Sequence, residues 1–262
     1  MPGPLAARWR LLRLEPPRAG ALGQAEVEVE NAGTAVWRSG INAAYHWLDE
    51  RGNPIVWDGL RTALERQVPP GGRLALRLRL RAPVPPGSYR LAVDLVDEGR
   101  LWFAEAGSER LELGAEVAPR IERRLAATSG DADALAAQEE PLVPEEEAEA
   151  VALLAPGVAP APDWSRRVLD AHQEGYAVVA GSLEAEGGLL RRPPKALAPY
   201  APGPGRVPHF PHPLVCASHV LGLTPDMAAP VEGLPAVHAP VDEPWVYDGR
   251  IRARLRSGHP RG

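Results

Sequence analysis

Strict alternation of apolar and polar positions dominates the first part of the chain. Ala25-Glu26-Val27-Glu28-Val29-Glu30 places its apolar side chains on one side and its glutamates on the other. Residues 73–81, RLALRLRLR, do the same with Leu74, Leu76, Leu78 and Leu80. A helix would scatter these leucines around its circumference, whereas a strand lines them along one face. The same period predicts strands at 9–14, 43–48, 54–57, 89–96 and 110–117. Turn residues separate them: Asn31-Ala32-Gly33, Arg51-Gly52-Asn53, Pro69-Pro70-Gly71-Gly72 and Pro85-Pro86-Gly87. So many short strands in so short a stretch predict an antiparallel sandwich of the Ig-like kind over residues 1–118.

Beyond residue 118 the pattern changes twice. From Leu125 to Ser165 there is no basic residue, while Asp131, Asp133, Glu139, Glu140, Glu145, Glu146, Glu147 and Glu149 supply acid. Such composition predicts an acidic linker over 119–147, either a solvated helix-rich connector or a partly disordered stretch. A largely apolar run of strand length, Glu149 to Leu154, then precedes a Pro-rich stretch and Asp163, a candidate helix cap. Trp164, Val168, Leu169 and His172 follow at helical spacing, Gly175 would end the helix, and residues 176–180 form a second apolar run. Strand, helix and strand in this order predict a βαβ unit with a parallel sheet, the nucleus of a small α/β domain over 148–262. Fourteen of the thirty prolines lie after Arg192, so an irregular Pro-rich wrap is expected to cover that sheet.

Composition narrows the class. With 262 residues there is room for two cores, and a net charge of -5 offers no basic excess to attract nucleic acid. No apolar run reaches the length of a bilayer span, no secretory leader is evident, and a single cysteine, Cys216, excludes an intrachain disulfide framework. A cytoplasmic protein is the expectation. Only Lys195 among the 29 basic residues is a lysine, a bias expected of a GC-rich bacterial genome, so the number of arginines by itself says little about function.

Several features of the first part occur together: Asn31 and Gly33 before Trp37, then Tyr45-His46-Trp47, Trp57-Asp58-Gly59, Pro70-Gly71, Pro86-Gly87-Ser88-Tyr89 and Trp102-Phe103. In this order they resemble an Ig-like accessory domain of the type attached to bacterial enzymes of cell-surface polysaccharide synthesis. The resemblance implies a non-catalytic module. Its aromatic residues, Trp37, Tyr45, Trp47, Trp57, Trp102 and Phe103, have two readings: core packing, which a small sandwich needs, or a stacking platform for sugars. His46, between two aromatic residues on a strand, is expected to point away from them into solvent.

The second part resembles a fragment of a family-2-type glycosyltransferase of the GT-A fold. The matching stretches are Leu153 to Trp164, Asp170-Ala171-His172 and Ala177-Val178-Val179-Ala180-Gly181, with a later echo in Asp242 to Asp248 and Arg254 to His259. In that family the later motif is an acidic pair that starts a helix, and Asp248 falls where the general base acts on the acceptor hydroxyl. Departures from the pattern argue against catalysis. Ala155, Pro156 and Gly157 stand where metal-binding aspartates are expected, and the acidic pair is reduced to Tyr247-Asp248. None of those three side chains can coordinate a cation, and without the metal a diphosphate leaving group loses its main charge stabilisation.

His209, His212, Cys216 and His219 put four zinc-competent side chains within eleven residues. Three prolines stiffen this segment into extended chain whose side chains diverge, so covering-loop histidines are the expectation rather than a metal centre. The reading is therefore a two-domain, non-catalytic accessory or binding protein of cell-surface glycan synthesis, with a protein or glycan partner and no cofactor or metal. The alternative is a sugar-nucleotide-dependent glycosyltransferase with Asp248 as general base.

Overall fold

A computed structural model describes residues 3–154, 157–185, 216–223, 226–231, 234–238 and 242–255. The chain is rich in β-structure and divides into two compact units, Met1–Ala118 and Pro119–Gly262.

In the first unit the strands are β1 (Ala7–Leu14), β2 (Leu22–Asn31), β3 (Ile41–Leu48), β4 (Pro54–Val56), β5 (Thr62–Ala63), β6 (Arg73–Arg81), β7 (Gly87–Asp97), β8 (Leu101–Trp102) and β9 (Leu111–Val117). They form two antiparallel sheets. One is β1-β2-β6; the other is built on β3 and β7, with β4 and β5 against β3 and with β8 and β9 against β7. Register explains the alternation. Val27 lies opposite Leu76, Val29 opposite Leu74 and Ala25 opposite Leu78, all facing inward. From the other sheet Ala43, Tyr45 and Trp47 pair with Leu95, Val93 and Leu91 and close the same core. Trp37 fills its end, edge-on to Phe103 at 5.7 Å between ring centres.

Two local devices fix this core. The Asn31 side chain is buried; its Nδ2 donates to the carbonyls of Ala35 (2.9 Å) and Val68 (2.8 Å), and its Oδ1 accepts from the Gly33 N–H (3.0 Å). A Cβ on Gly33 would come within 2.4 Å of the Pro4 carbonyl oxygen, so only glycine fits that turn. Across the sheets, the Arg81 N–H of β6 donates to Tyr45 Oη (2.8 Å) and the Arg81 carbonyl accepts from Trp47 Nε1 (2.9 Å).

The second unit corrects three expectations. First, residues 119–147 are no linker. Ile121 and Leu125 are buried in the core of this unit, and β10 (Leu125–Ala127) pairs with β11 (Ala150–Leu154) in parallel. A short helix, α1 (Ala132–Ala136), is capped by Asp131, whose carboxylate accepts from Ala134 N–H at 2.9 Å. Gln138 then fastens the segment to the start of the next helix by accepting from Ser165 N–H and donating to the Ala161 carbonyl. The acid is matched by arginines from outside the basic-free stretch: Arg123 pairs with Glu140 and Asp170, Arg124 with Glu149, and Arg166 with Glu139.

Second, the sheet is mixed. After β11 come β12 (Val158–Pro160), α2 (Trp164–Glu174), β13 (Val178–Ala185), β14 (Cys216–Val220), the hairpin β15 (Asp226–Val231) and β16 (Leu234–His238), and β17 (Trp245–Leu255). Sheet order is β10-β11-β14-β13-β17-β12. β11 and β13 run parallel with α2 between them in sequence, but β14 is inserted between them, antiparallel to both. Helix α2 buries Trp164, Val168, Leu169 and His172, the expected stripe, and ends at Gly175 with φ of 126°. Asp163 makes no capping bond; its carboxylate pairs with Arg167 at 2.5 Å.

Third, Asp248 starts no helix. It lies within β17, where three extra residues bulge out between Asp248 and Arg252, the partners of Gly181 and Ser182. A Cβ on Gly181 would meet the Ile251 carbonyl oxygen at 2.4 Å, and Ser182 Oγ donates to the Gly249 carbonyl at 3.1 Å. Gly181→Ala should accordingly destabilise the second unit by about 1–3 kcal/mol through overpacking. Urea unfolding of the purified variant measures this, and an unchanged midpoint would show that the bulge yields freely.

Candidate functional site

In β3 and β7, every second residue turns away from the sandwich core. Ala44, His46, Ala92, Asp94 and Val96 therefore lie on the other face of the sheet, yet all are buried. The cover comes from residues 57–61 and 101–110, which fold back over this face. Gly59 makes the return possible: its N–H donates to the Tyr45 carbonyl at 3.0 Å, and a Cβ there would sit 2.5 Å from the same oxygen.

His46 is thus not at the surface, as its position between two aromatic residues suggests, but is fully buried. Its ring stacks on Trp57 at 4.0 Å with an interplanar angle of 23° and meets Trp102 at 4.4 Å, tilted by 59°. Because its Nδ1 contacts the Trp57 carbonyl, which can only accept, Nδ1 carries the proton. Nε2 is then a bare acceptor, buried and without a partner among the described residues. Burial depresses the His46 pKa; the bond to Trp57 opposes this and the charge of Arg110 adds to it, so the ring is neutral near pH 7.

Asp94 is the second buried polar group of this face. Its carboxylate accepts from the N–H groups of Leu95 (2.8 Å) and Ala104 (3.1 Å). Burial nevertheless outweighs these bonds and pushes its pKa up to about 6. Together His46, Trp57, Asp94, Trp102, Glu105 and Arg110 line a cleft of about 420 Å³. Trp57 is 43% exposed, which leaves indole surface for a ligand. Trp102 is held from outside by Arg61, whose guanidinium lies 4.9 Å from the ring centre and is itself fixed by Glu98 (2.7 Å) and Asp58 (2.9 Å). Arg110 is paired with Glu112 at 2.6 Å. The site thus combines an aromatic surface with hydrogen-bond acceptors, a chemistry suited to a hydroxylated ligand.

The aromatic residues separate into two groups. Trp37, Tyr45, Trp47 and Phe103 belong to the core, while Trp57 and Trp102 belong to the cleft. Asp94 and Arg110 escape sequence reasoning, although an acid at an outward position of an otherwise apolar strand is a signal that could have marked Asp94.

In the second unit Asp248 is engaged by Arg250. Nε lies 2.9 Å from both carboxylate oxygens, Nη2 2.6 Å from Oδ2, and the Arg250 N–H donates to Oδ1 at 2.9 Å. Burial works to raise its pKa, but these bonds prevail and hold the carboxylate below its ordinary range. A general base works best with a pKa near the working pH, and Asp248 is displaced in the opposite direction. Of the histidine and cysteine cluster, His209 and His212 lie outside the described residues, as do Ala155 and Pro156 of the missing metal motif. Cys216 opens β14, and His219 is buried with Nδ1 donating to the Val220 carbonyl at 3.1 Å. Among the described residues no three histidine, cysteine or acidic side chains are grouped to hold a metal.

A serine–histidine pair that sequence reasoning also missed lies beneath α2. His172 Nδ1 donates to the Tyr176 carbonyl (2.8 Å), so Nε2 accepts from Ser218 Oγ (2.8 Å). Both residues are closed to solvent, and burial lowers the His172 pKa to about 4. The pair is a cross-link between helix and sheet. Beside it, Arg120 and Glu243 form a buried ion pair at 2.7 Å, and Arg120 Nη1 donates to the Gly175 carbonyl at 3.0 Å.

No family model and no curated protein matches the chain. Among solved structures, it is similar to a β-glucosidase from Listeria innocua in complex with glucose (13% identity, TM-score 0.28), over 42% of this chain and 16% of that one. The chain thus spans about a sixth of that enzyme's length. It is also similar to the CARDB domain of the PF1109 protein from Pyrococcus furiosus, in complex with di-metal ions (13%, 0.29, 45% of this chain and 92% of that one). A third similarity is to the PapD-like domain 7 of human CEP192 (15%, 0.26, 45% and 88%). Scores this low leave the function to the chain's own chemistry. No described helix is long and apolar enough to cross a membrane.

The buried groups predict opposite pH dependences. Histidines held neutral, His46 and His172, contribute stability that is present above the unfolded value of 6.5 and is lost as pH falls through it; for His172 the loss continues to about 4. Asp94, raised to about 6 from 3.8, contributes stability that grows as pH falls across that interval. Relative to Asp94→Asn, the parent protein should gain about 2–3 kcal/mol between pH 7 and pH 4. Urea unfolding followed by tryptophan fluorescence at both pH values tests this, and a pH-independent difference would contradict the raised pKa.

Proposed function

We propose that this chain is a non-catalytic binding protein of bacterial cell-surface glycan synthesis, acting in the cytoplasm. In this reading an Ig-like sandwich supplies the binding surface, a small α/β unit follows it, and neither a cofactor nor a metal takes part. The observation that carries the proposal is Trp57, an exposed indole beside a cleft of buried hydrogen-bond acceptors. The apolar face of a pyranose stacks on an indole, and its hydroxyls can donate to exposed Glu105 at the edge of the cleft. His46 supports the Trp57 ring from beneath through stacking and the bond to its carbonyl, so the platform is preorganised.

Transferase chemistry is the weaker reading. It needs Asp248 free to take a proton, whereas Arg250 occupies both carboxylate oxygens. Glycan contact through the cleft asks nothing of Asp248.

Calorimetric titration with a panel of neutral oligosaccharides and of nucleotide sugars with Mg²⁺ separates the two. Binding of a neutral oligosaccharide is expected, weakened about tenfold or more by Trp57→Ala and unaffected by Asp248→Asn. Nucleotide-sugar binding tighter than about 1 mM, worth roughly 4 kcal/mol, together with glycosyl transfer that is lost in Asp248→Asn while the binding is kept, would overturn the proposal in favour of the transferase.

A further inference from the structure

The opposite side of the sandwich has a different chemistry. On the outer face of the β1-β2-β6 sheet the glutamates of β2 form a central row, in register with arginines on either side. Glu30 lies between Arg8 and Arg73, Glu26 between Arg13 and Arg77, and Glu28 between Arg10 and Ala75, while Arg79 faces Gln24. Six arginines thus surround three glutamates. Ion pairs use only part of this charge: Glu30 is shared by Arg8 (3.1 Å) and Arg73 (3.0 Å), and Glu26 takes Arg77 (3.4 Å). Arg10, Arg13 and Arg79 are exposed and have no ion pair among the described residues. The first 118 residues contain fifteen arginines and fifteen carboxylates, so the unit is neutral and this face holds a local cationic surplus.

Cross-strand pairing to strengthen the sheet explains Arg8, Arg73 and Arg77. It does not explain the remaining three. The geometry points to a docking surface for an acidic polysaccharide, laid along β1 over Arg10 and Arg13. Arg8 and Arg10 are successive outward residues of β1, about 6.8 Å apart, and an irregularity between Leu11 and Arg13 brings Arg13 opposite Glu26 with exposed Leu12 beside it; neighbouring strands are separated by about 4.8 Å, so the β1 arginines make a cationic row bordered by an acidic one. A slender chain with one carboxylate per sugar can follow that row and take bidentate guanidinium bonds without crossing the glutamates. A broad, densely charged duplex, with one charge for about every 1.7 Å of its axis, would place phosphates over Glu28. Exposed Leu12 and Leu22 are the large apolar side chains displayed by these strands, fewer than the apolar centre of a protein interface needs. This surface is independent of the Trp57 cleft, which lies on the outer face of the other sheet.

Polygalacturonate oligomers, neutral dextran and duplex DNA, titrated into the full chain at low salt, test the proposal. Polygalacturonate should bind with an affinity that falls as salt screens the charges, whereas any heat with dextran should be insensitive to salt and to the arginine substitutions. Arg10→Gln combined with Arg13→Gln should weaken polygalacturonate binding about tenfold, whereas Glu28→Gln, which removes the bordering acid, should tighten it about threefold. Trp57→Ala should leave it unchanged, which distinguishes this face from the cleft. All substituted positions on β1 and β2 point outward, and circular dichroism checks that the fold is kept. Lack of polygalacturonate binding, indifference to the double substitution, or duplex DNA bound as tightly as polygalacturonate would each overturn the inference.

Discussion

The backbone of Arg81 is the point on which the first unit depends. Its N–H and its carbonyl both turn away from β2, and both would be unpaired beside a hydrophobic core if nothing met them. Tyr45 Oη and Trp47 Nε1 do so from the facing sheet. A buried backbone group left without a partner costs about 1–3 kcal/mol, so this double contact also fixes how β3 lies over β6. Once β3 is placed with Tyr45 and Trp47 inward, the pleat forces His46 outward, beneath Trp57 and Trp102. Core and cleft are therefore two consequences of one strand register, and a slip of one residue would exchange them.

This dependence also shows what the sequence could reveal. Alternation marked the strands of the first unit because apolar and polar positions separate cleanly in β2 and β6. In β3 it told which residues share a face, but not that the second face is covered. Cover comes from a later loop by way of Gly59, fourteen residues beyond Tyr45, whose close approach to the Tyr45 carbonyl has no periodic signature. His46 and Asp94 were consequently legible as outward residues and illegible as buried ones. The aromatic residues behaved similarly: their two readings were both present in the sequence, but only packing could divide Trp37 and Trp47 from Trp57 and Trp102.

In the second unit the failures have a different origin. Helix α2 was visible in its 3.6-residue stripe, because local burial leaves a local pattern. Sheet order is non-local, so nothing in residues 149–183 announced that β14 would enter between β11 and β13. The acidic segment reads as a linker for the same reason: composition counts the charges of a segment and not the arginines that reach it from elsewhere. Arg123 alone joins Glu140 to Asp170. The echo of a motif puts Asp248 at a helix start with no helical periodicity beneath it, and the alternating burial of residues 251–254 is that of a strand.

The two faces of the sandwich differ because their cross-strand partners differ. On the β3–β7 face, neighbours in register are small or apolar, as in His46 opposite Ala92, so polar groups there are isolated, desolvated and shifted from their ordinary pKa values. On the β1-β2-β6 face every glutamate of β2 has an arginine directly across, the charges remain in water, and the surplus is displayed rather than buried. Desolvated acceptors beside an indole discriminate by hydrogen-bond geometry and shape, whereas exposed guanidinium rows discriminate by charge and spacing. A chain that carries both sugar faces and carboxylates would engage the two sides of this unit through separate parts of its length. Affinity would then come from linkage of two modest sites rather than from one deep pocket, with the spacing of acidic and neutral sugars as the variable that sets it.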